Sequence, residues 1–151
     1  MRIARVETFA SNTSVFVRLT TESGLTGIGE STAFAFPLAV VEVVKALSGY
    51  LIGADGMDVE AHWLRMYRAV GWRGITLGGA ISAIDQALWD LRGKRFEEPV
   101  WQLLGGRSRT GVRAMKVVQT GTTGEVVAAS VAAQDAGYTA IKVLLFQHEH
   151  H

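Results

Sequence analysis

The sequence predicts an α+β fold in which a three-stranded antiparallel meander is followed by a helical bundle and then by a β-α-β segment. Three observations predict it. Apolar and polar residues alternate over the first thirty residues, and apolar residues then recur at helical spacing as far as Leu91. After Arg109, a strand, a helix and a buried-strand pattern follow in that order. We therefore expect one domain over residues 1–110 and the start of a second over residues 111–146.

Three short strands account for the first thirty residues. Ile3, Val6 and Thr8 alternate with Arg5 and Glu7 in the first strand, residues 15–20 repeat the two-residue period, and residues 25–30 return as a third strand. The links between these segments are too short for the crossover that parallel pairing needs. The strands are therefore predicted to run antiparallel.

A helical period replaces the alternation after Pro37, a residue suited to the first turn of a helix. Apolar stripes predict helices over residues 38–52, closed by Gly53, and over residues 59–70, capped by Asp58. A third helix is predicted over residues 79–92, with Gly93 near its end, and a short turn over residues 100–104. Each stripe has to be buried, which indicates a helical bundle.

The last third of the chain has the pattern of one βαβ unit. A strand over residues 112–118 precedes an alanine- and valine-rich helix over residues 124–136, and residues 140–146 form a nearly continuous apolar run. Residues 147–151 contain three histidines and one glutamate, but nothing orients these side chains. We interpret this histidine-rich end as a mobile tail and not as a metal site.

Composition excludes several classes of protein. The 151 residues carry a net charge of +1, contain no cysteine and are 48% apolar, which is typical of a folded domain without disulfides or thiolate zinc sites. The balanced charge predicts neither nucleic acid nor an anionic membrane surface as a partner. The start of the chain alternates where a signal peptide would have an apolar core, so a cytoplasmic protein is expected.

Two motifs that could suggest catalysis are interpreted as structural. The glycines of residues 24–29 lie within a predicted hairpin, whereas a dinucleotide-binding loop has to join a strand to a helix. Asp85 and Asp90 are separated by about 500° of helical rotation, so they do not share a face as an acid–base pair would. We expect Asp90 to pair with Lys94, and Asp85 to accept hydrogen bonds from nearby backbone.

Two loops carry candidate binding residues. Trp72 and Arg73 lie between glycines in the break before the third helix, and Phe34 and Phe36 lie in the apolar segment before Pro37. Loops carry binding groups more often than helix interiors do. From the residues alone, a packed tryptophan beside a solvated arginine, and an apolar loop that belongs to the core, remain equally good interpretations.

Six segments, in this order along the chain, resemble the mandelate racemase and muconate lactonizing branch of the enolase superfamily. They are residues 3–8 (IARVET), 27–30 (GIGE), 82–91 (SAIDQALWDL), 93–94 (GK), 99–106 (PVWQLLGG) and 137–142 (GYTAIK). Within the branch, residues 66–68, 72–74 and 84–90 are most similar to acid-sugar dehydratases of the galactonate type.

The resemblance implies a capping domain followed by the start of a modified (β/α)₇β barrel. Enzymes of this branch hold Mg²⁺ on carboxylates of later barrel strands, and a base removes the proton α to a substrate carboxylate. Two cap loops, here about residues 11–14 and 31–37, close over the substrate. The resemblance therefore implies that the substrate, a small carboxylate such as an acid sugar, is contacted by Ser31, Thr32, Phe34, Phe36, Trp72 and Arg73.

Two departures limit what this chain is expected to do. Lys142 matches the first lysine of the branch's lysine pair, but Leu144 occupies the place of the second, which is the catalytic base. This argues against a lysine-based racemase and leaves open a dehydratase with a histidine base. The residues after Arg109 are also too few for the roughly 250 residues of a barrel. We therefore expect a truncated chain that binds no Mg²⁺ and is inactive alone.

Three further expectations follow. The apolar residues 141 and 143–146 would normally be covered by neighbouring barrel elements, so self-association is predicted. A non-catalytic module that docks a separately encoded barrel remains an alternative to a truncated enzyme. A racemase or cycloisomerase of the same branch remains another.

Overall fold

A computed structural model describes residues 1–32, 36–71, 74–119 and 122–144 of the chain. The chain divides into two compact units, Met1–Gly106 and Arg107–His151. The predicted limits at residues 110 and 146 stay predictions. No helix within the described ranges is both long enough and apolar enough to cross a membrane.

The first unit begins with the predicted antiparallel meander. Strand β1 (Ile3–Ala10) pairs with β2 (Ser14–Thr21), which pairs with β3 (Thr26–Thr32), so the sheet order is β1-β2-β3. Both pairings are antiparallel, and the register of β1 on β2 shifts by one residue near its start. The short hairpin links therefore join antiparallel strands, as predicted.

Four helices complete this unit: α1 (Pro37–Ser48), α2 (Val59–Arg68), α3 (Ile75–Phe96) and α4 (Val100–Leu103). Pro37 lies in the first turn of α1 as predicted. Asp58 is the N-cap residue of α2, as predicted, although its side chain makes no capping hydrogen bond. The core lies between the sheet and the helices. Its largest fully buried side chains include Ile3, Leu19, Leu51, Met66, Ile84, Leu88 and Leu91.

Helix α3 is longer at both ends than the predicted span of residues 79–92. It starts four residues earlier, at Ile75, and continues through Gly93 to Phe96. Gly93 is buried inside the helix, where a Cβ atom would lie 2.8 Å from the carbonyl oxygen of Glu98. The helix ends instead at Glu97, which adopts the left-handed conformation with φ of 56°. A glycine near a helix end is typical of a stop signal, but here it permits a close backbone approach.

Strand β3 and helix α3 approach each other through the glycines of β3. A Cβ atom at Gly27 or Gly29 would lie closer than 3.0 Å to the carbonyl oxygen of Ala87 or Ala83, respectively. Glycine within a strand is typical of such a close approach. The prediction that these glycines are structural is therefore supported by the space they leave for α3.

Side chains of α3 cover the edge of β3 that faces away from β2. Asp90 accepts a hydrogen bond from the Ile28 N–H at 2.8 Å, and Lys94 donates one to the Thr26 carbonyl at 2.9 Å. Gln86 accepts from the Glu30 N–H at 3.1 Å and donates to the Glu30 carbonyl at 3.0 Å. These bonds satisfy main-chain groups that would otherwise form an open sheet edge.

The second unit contains the predicted βαβ arrangement in shorter form. Strand β4 (Lys116–Val118) pairs in parallel with β5 (Ile141–Val143), and helix α5 (Thr123–Asp135) connects them. A capping box between Thr122 and Glu125 starts α5. Residues 112–115, predicted as strand, are not in the ladder, and Val112 is 82% exposed. Residues 145–146 of the predicted last strand, and the tail 147–151, lie outside the described residues.

Candidate functional site

The predicted site residues flank two connections of the first unit. Ser31 and Thr32 are the last residues of β3, and Phe36 immediately precedes α1. Trp72 and Arg73 belong to the connection between α2 and α3. Phe34, Trp72 and Arg73 lie outside the described residues, so the structure places only the ends of both connections.

Ser31 brings the end of β3 against the start of α3. Its side chain is 3% exposed, and a Cβ atom at Gly79 would lie 2.5 Å from its Oγ. Gly79 is in the second turn of α3, which begins after the α2–α3 connection. The two connections therefore leave the core at neighbouring points, an arrangement that the sequence spacing alone did not reveal.

The Ser31 hydroxyl has no hydrogen-bond partner among the described residues. A buried hydroxyl without a partner costs free energy, because it has lost its bonds to water. Gly79, which offers no side chain, leaves the space that Ser31 occupies. Ser31 thus combines close packing with an unused donor and acceptor at the root of the β3–α1 connection.

The other two described candidates are open to solvent. Thr32 is exposed, and Phe36 is 73% exposed although it is a large apolar residue. The first turns of α1 and α3 expose Leu38 and Ile75, at 71% and 86% respectively. Exposed apolar side chains concentrated at loop roots are typical of a surface that another part of a protein or a ligand covers.

The connection between β1 and β2, the other predicted loop, is a tight turn. The Ser11 N–H donates to the Ser14 carbonyl at 2.8 Å, and the Ser14 N–H donates to the Ser11 Oγ at 3.0 Å. These bonds satisfy the polar groups of the turn locally. Ser14, the last residue of this segment, is in register with Thr32, so the turn adjoins the end of β3 where Ser31 and Thr32 lie.

The acidic residues of α3 have separate roles. Asp90 forms the expected ion pair with Lys94 at 2.6 Å, in addition to its bond to β3. Asp85 accepts no hydrogen bond within the described part of the chain, contrary to the expectation. Burial raises the pKa of Asp85, and the nearby carboxylate of Glu60 raises it further. Neither arrangement is an acid–base pair.

The described residues do not fit a magnesium ion. Within ranges 1–32, 36–71, 74–119 and 122–144, no three side chains of His, Cys, Asp or Glu are grouped so that they could hold a metal. Mg²⁺ requires oxygen ligands in near-octahedral geometry. No catalytic step through a metal can therefore be assigned to these residues.

Lys142 lies on β5 and is exposed, opposite Val117 of β4. Leu144, at the second position of the lysine pair, follows the strand and is half-buried. The apolar Leu144 offers no group that could remove a proton. The match of Lys142 to the first lysine of the branch's lysine pair stays a prediction.

The first unit is thus a three-stranded sheet packed against helices, with its described candidate binding residues at the ends of the β3–α1 connection. The second unit is the start of a parallel α/β arrangement. Residues 1–105 match the family model described as mandelate racemase/muconate lactonizing enzyme, N-terminal domain. The chain belongs to this family, within the enolase superfamily.

Curated relatives include dehydratases. A D-galactonate dehydratase family member of Pseudarthrobacter chlorophenolicus is 44% identical over 119 residues, which are 76% of this chain and 29% of the relative. The D-galactonate dehydratase of Klebsiella pneumoniae is 38% identical over 130 residues, 85% of this chain and 34% of the relative. The chain therefore spans about a third of the length of these relatives.

Solved structures agree with the same fold. An enolase from Pantoea ananatis with bound D-gluconate and Mg superposes with a TM-score of 0.85 at 31% identity, over 95% of this chain and 36% of that one. A member of the enolase superfamily from Salmonella Typhimurium has a TM-score of 0.85 at 31% identity, over 94% of this chain and 41% of that one. The predicted capping domain and barrel start are confirmed.

Proposed function

We propose that this chain is the substrate-capping part of a Mg²⁺-dependent acid-sugar dehydratase, acting in the cytoplasm on a small carboxylate. The observation that carries the proposal is the cap fold of the compact unit Met1–Gly106, in a chain 38% identical to a D-galactonate dehydratase. A cap of this kind contributes selectivity, because it encloses the substrate and excludes water.

Six residues are proposed to contact the substrate: Ser31, Thr32, Phe34, Phe36, Trp72 and Arg73. The support is the contact of Ser31 with Gly79, which brings the roots of both connections together. An arginine guanidinium and hydroxyls can bind the carboxylate and hydroxyl groups of an acid sugar. Exposed aromatic side chains such as Phe36 can cover its carbon chain.

The chemistry proposed for the intact enzyme is removal of the proton α to a carboxylate, followed by loss of water. Mg²⁺ supplies stabilisation of the developing negative charge when it is bound. The role proposed for the described residues is to bind and orient the substrate, because Leu144 stands where the second lysine of the pair would be and the described part of the chain contains no group of acidic side chains that could hold a metal. We therefore propose that the chain alone does not catalyse the reaction.

Turnover assays test this proposal directly. Purified chain with Mg²⁺ and D-galactonate, or another acid sugar, is expected to form no 2-keto-3-deoxy acid above the rate without protein. Turnover that remains proportional to chain concentration through successive purification steps would contradict it.

A second assay separates the truncated enzyme from a docking module. The chain is mixed with the separately expressed barrel part of a relative, and dehydration is measured. Restored activity favours the docking module. The downstream genomic sequence gives an independent answer, because an in-frame or frameshifted barrel indicates truncation and an intact barrel gene indicates docking.

The site assignment is tested in a full-length hybrid, in which residues 1–105 replace the matched segment of the Klebsiella pneumoniae relative. Trp72→Ala and Arg73→Ala are expected to change the ratio of kcat/KM between two acid sugars by about tenfold, or roughly 1.4 kcal/mol. Lys45→Ala, on an exposed position of α1, is the matched control. An unchanged ratio, with normal thermal unfolding, rules out the assignment.

A further inference from the structure

The second unit has an excess of positive charge. Residues 107–144 contain five basic side chains and two acidic ones, and residues 99–124 contain no acidic residue. One of the two acidic residues, Glu125, belongs to the capping box at the start of α5. Within the described ranges, neither Arg113 nor Lys116 forms an ion pair. Positive charge that no carboxylate balances favours an anionic ligand.

Two of these basic side chains meet the loop between α5 and β5. Strands β4 and β5 are parallel, so both begin at the same end of the sheet, which we call the entry edge. The entry edge comprises residues 113–116 and 137–141. The Arg113 Nε donates a hydrogen bond to the Thr139 Oγ1 at 2.9 Å, and the Lys116 Nζ lies 6.0 Å from the centre of the Tyr138 ring. The fold therefore gathers two cations, a hydroxyl and an aromatic ring at one edge.

Arg113 is held in a way that leaves its anion-binding atoms available. Its bond to Thr139 uses the inner nitrogen, and both terminal amino groups make no hydrogen bond to the described residues. Thr139 accepts this bond, so its own hydroxyl hydrogen remains to be donated. The planar fork of a guanidinium fits two oxygens of a carboxylate or a phosphate.

The end of α5 does not need these cations for its own carbonyl groups. The carbonyls of residues 132–134 accept hydrogen bonds from the main-chain N–H groups of residues 136–138. Basic side chains near the end of a helix often bond such carbonyls. Because the main chain does so here, the charges of Arg113 and Lys116 are left for another partner.

Two depressions flank the α5–β5 loop. The first, of about 310 Å³, is lined by Arg113, Ala114 and residues 136–139. The second, of about 490 Å³, is lined by Gln134, residues 137–139 and Ile141. They share the loop residues, and a Cβ atom at position 137, a glycine, would meet nothing within 4 Å. Their volumes are in the range of small-molecule sites, and only the first includes a charged side chain.

We propose that the entry edge binds a small phosphate ester. Arg113, the Thr139 hydroxyl and Lys116 bind its phosphoryl group, and its carbon part lies in the second depression against Ile141. A phosphoryl group carries close to two negative charges at neutral pH, which matches the two unbalanced cations, whereas a single carboxylate matches only one. The site is open to water, so the dissociation constant is about 1 mM. It does not depend on the capping role proposed for the first unit.

NMR titration of the whole ¹⁵N-labelled chain with glycerol 3-phosphate, at constant ionic strength, tests this site. Saturable shifts are expected at the main-chain amides of residues 137–139. Acetate, a monoanion, is expected to bind about tenfold more weakly. Inorganic phosphate is expected to bind more weakly than the ester, because it lacks the carbon part.

Arg113→Gln removes the guanidinium fork and is expected to raise the dissociation constant of the ester about tenfold. Arg113→Lys keeps the charge without the fork and is expected to raise it about threefold. Arg109→Gln is the matched control, since Arg109 is exposed in the same unit and lines neither depression. It leaves the dissociation constant unchanged, and circular dichroism verifies that all variants are folded.

Shifts that do not saturate overturn the proposal, as does an equal loss of affinity in Arg109→Gln and Arg113→Gln, which indicates a general effect of charge. Acetate that binds as tightly as the ester overturns the choice of a phosphoryl group. A single-stranded oligonucleotide that binds more tightly than the ester, and that both variants weaken equally, also overturns the proposal. That result indicates a polyanion bound along the whole basic segment.

Discussion

Helices α3 and α5 have similar apolar sequences but very different surroundings. Both are rich in apolar residues, yet α3 buries eight of its residues and α5 buries only Ala133. Among the described residues of α5, Val127 and Val131 are 57% and 52% exposed. The comparison teaches that apolar composition makes a helix suitable for burial, whereas the neighbouring elements determine how much of it is buried.

The largest effect is expected where α3 touches β3. Gly29→Val would place a side chain against the Ala83 carbonyl oxygen, a main-chain atom that cannot move without shifting the helix. We expect the free energy of unfolding of the first unit to fall by about 4 kcal/mol, above the usual range for overpacking. Urea titration followed by circular dichroism measures the loss.

Gly49→Ala is the control for this glycine substitution. Gly49 has φ of −60°, and a Cβ atom there would meet nothing within 4 Å. A stabilising change of about 0.4–1 kcal/mol is expected, because alanine restricts the unfolded chain. Equal destabilisation by both substitutions would contradict the close-approach explanation.

Truncation of a buried side chain compares the two helices directly. Leu88→Ala in α3 removes a fully buried side chain and is expected to lower the free energy of unfolding by about 3 kcal/mol. Val127→Ala in α5 removes a mostly exposed side chain and should change it by less than about 0.5 kcal/mol. Denaturant titration of the whole chain measures both, and similar losses would show that α5 is more buried than described.

The polar cover of β3 is expected to have an intermediate effect. Gln86→Ala removes both hydrogen bonds to the main chain of Glu30 and should lower the free energy of unfolding by about 1–2 kcal/mol. The loss is expected to stay this small because water can reach the released main-chain groups. Hydrogen exchange measured by NMR should be faster at the Glu30 amide. The Ile28 amide, which donates to Asp90, is the internal control, and equal acceleration at both amides would indicate general unfolding.

The smallest effect is a pH dependence. Burial and the Glu60 carboxylate raise the pKa of Asp85 in the folded state, so the folded state binds the proton more tightly than the unfolded state. This contribution to stability is complete below the unfolded pKa and is lost as the pH rises through the folded pKa. Asp85→Asn should therefore raise Tm relative to the parent at neutral pH, and the advantage should shrink on acidification.

Glu7 is the control of opposite sign. Its hydrogen bonds from Arg18 are the main reason that the pKa of Glu7 is lowered, so its contribution to stability is lost as the pH falls through the folded pKa. Glu7→Gln should therefore lower Tm at neutral pH and have less effect in acid. Parallel pH profiles for the two variants would argue against both assignments.

Much of the fold could be predicted from local pattern. Alternation in β2, the short hairpin links and Pro37 at the start of α1 act through a few neighbouring residues, and the structure agrees with them. The limits of α3 could not be predicted in this way. Gly93 resembles a stop signal, but the approach of Glu98 makes it an interior residue. The contact between Ser31 and Gly79 joins residues far apart in sequence, so no local pattern could predict it.

The sequence by itself determined the class of each element, the antiparallel order of the first sheet and, through its family motifs, the membership in the enolase superfamily. These properties depend on spacing, turn length and residue type, which are visible along the chain. Only the tertiary structure decided which apolar helix is buried, that Gln86, Asp90 and Lys94 complete the edge of β3, and that Ser31 lies against α3. The physical reason is that burial and hydrogen-bond partners belong to pairs of elements, and a pair exists only after the chain has folded.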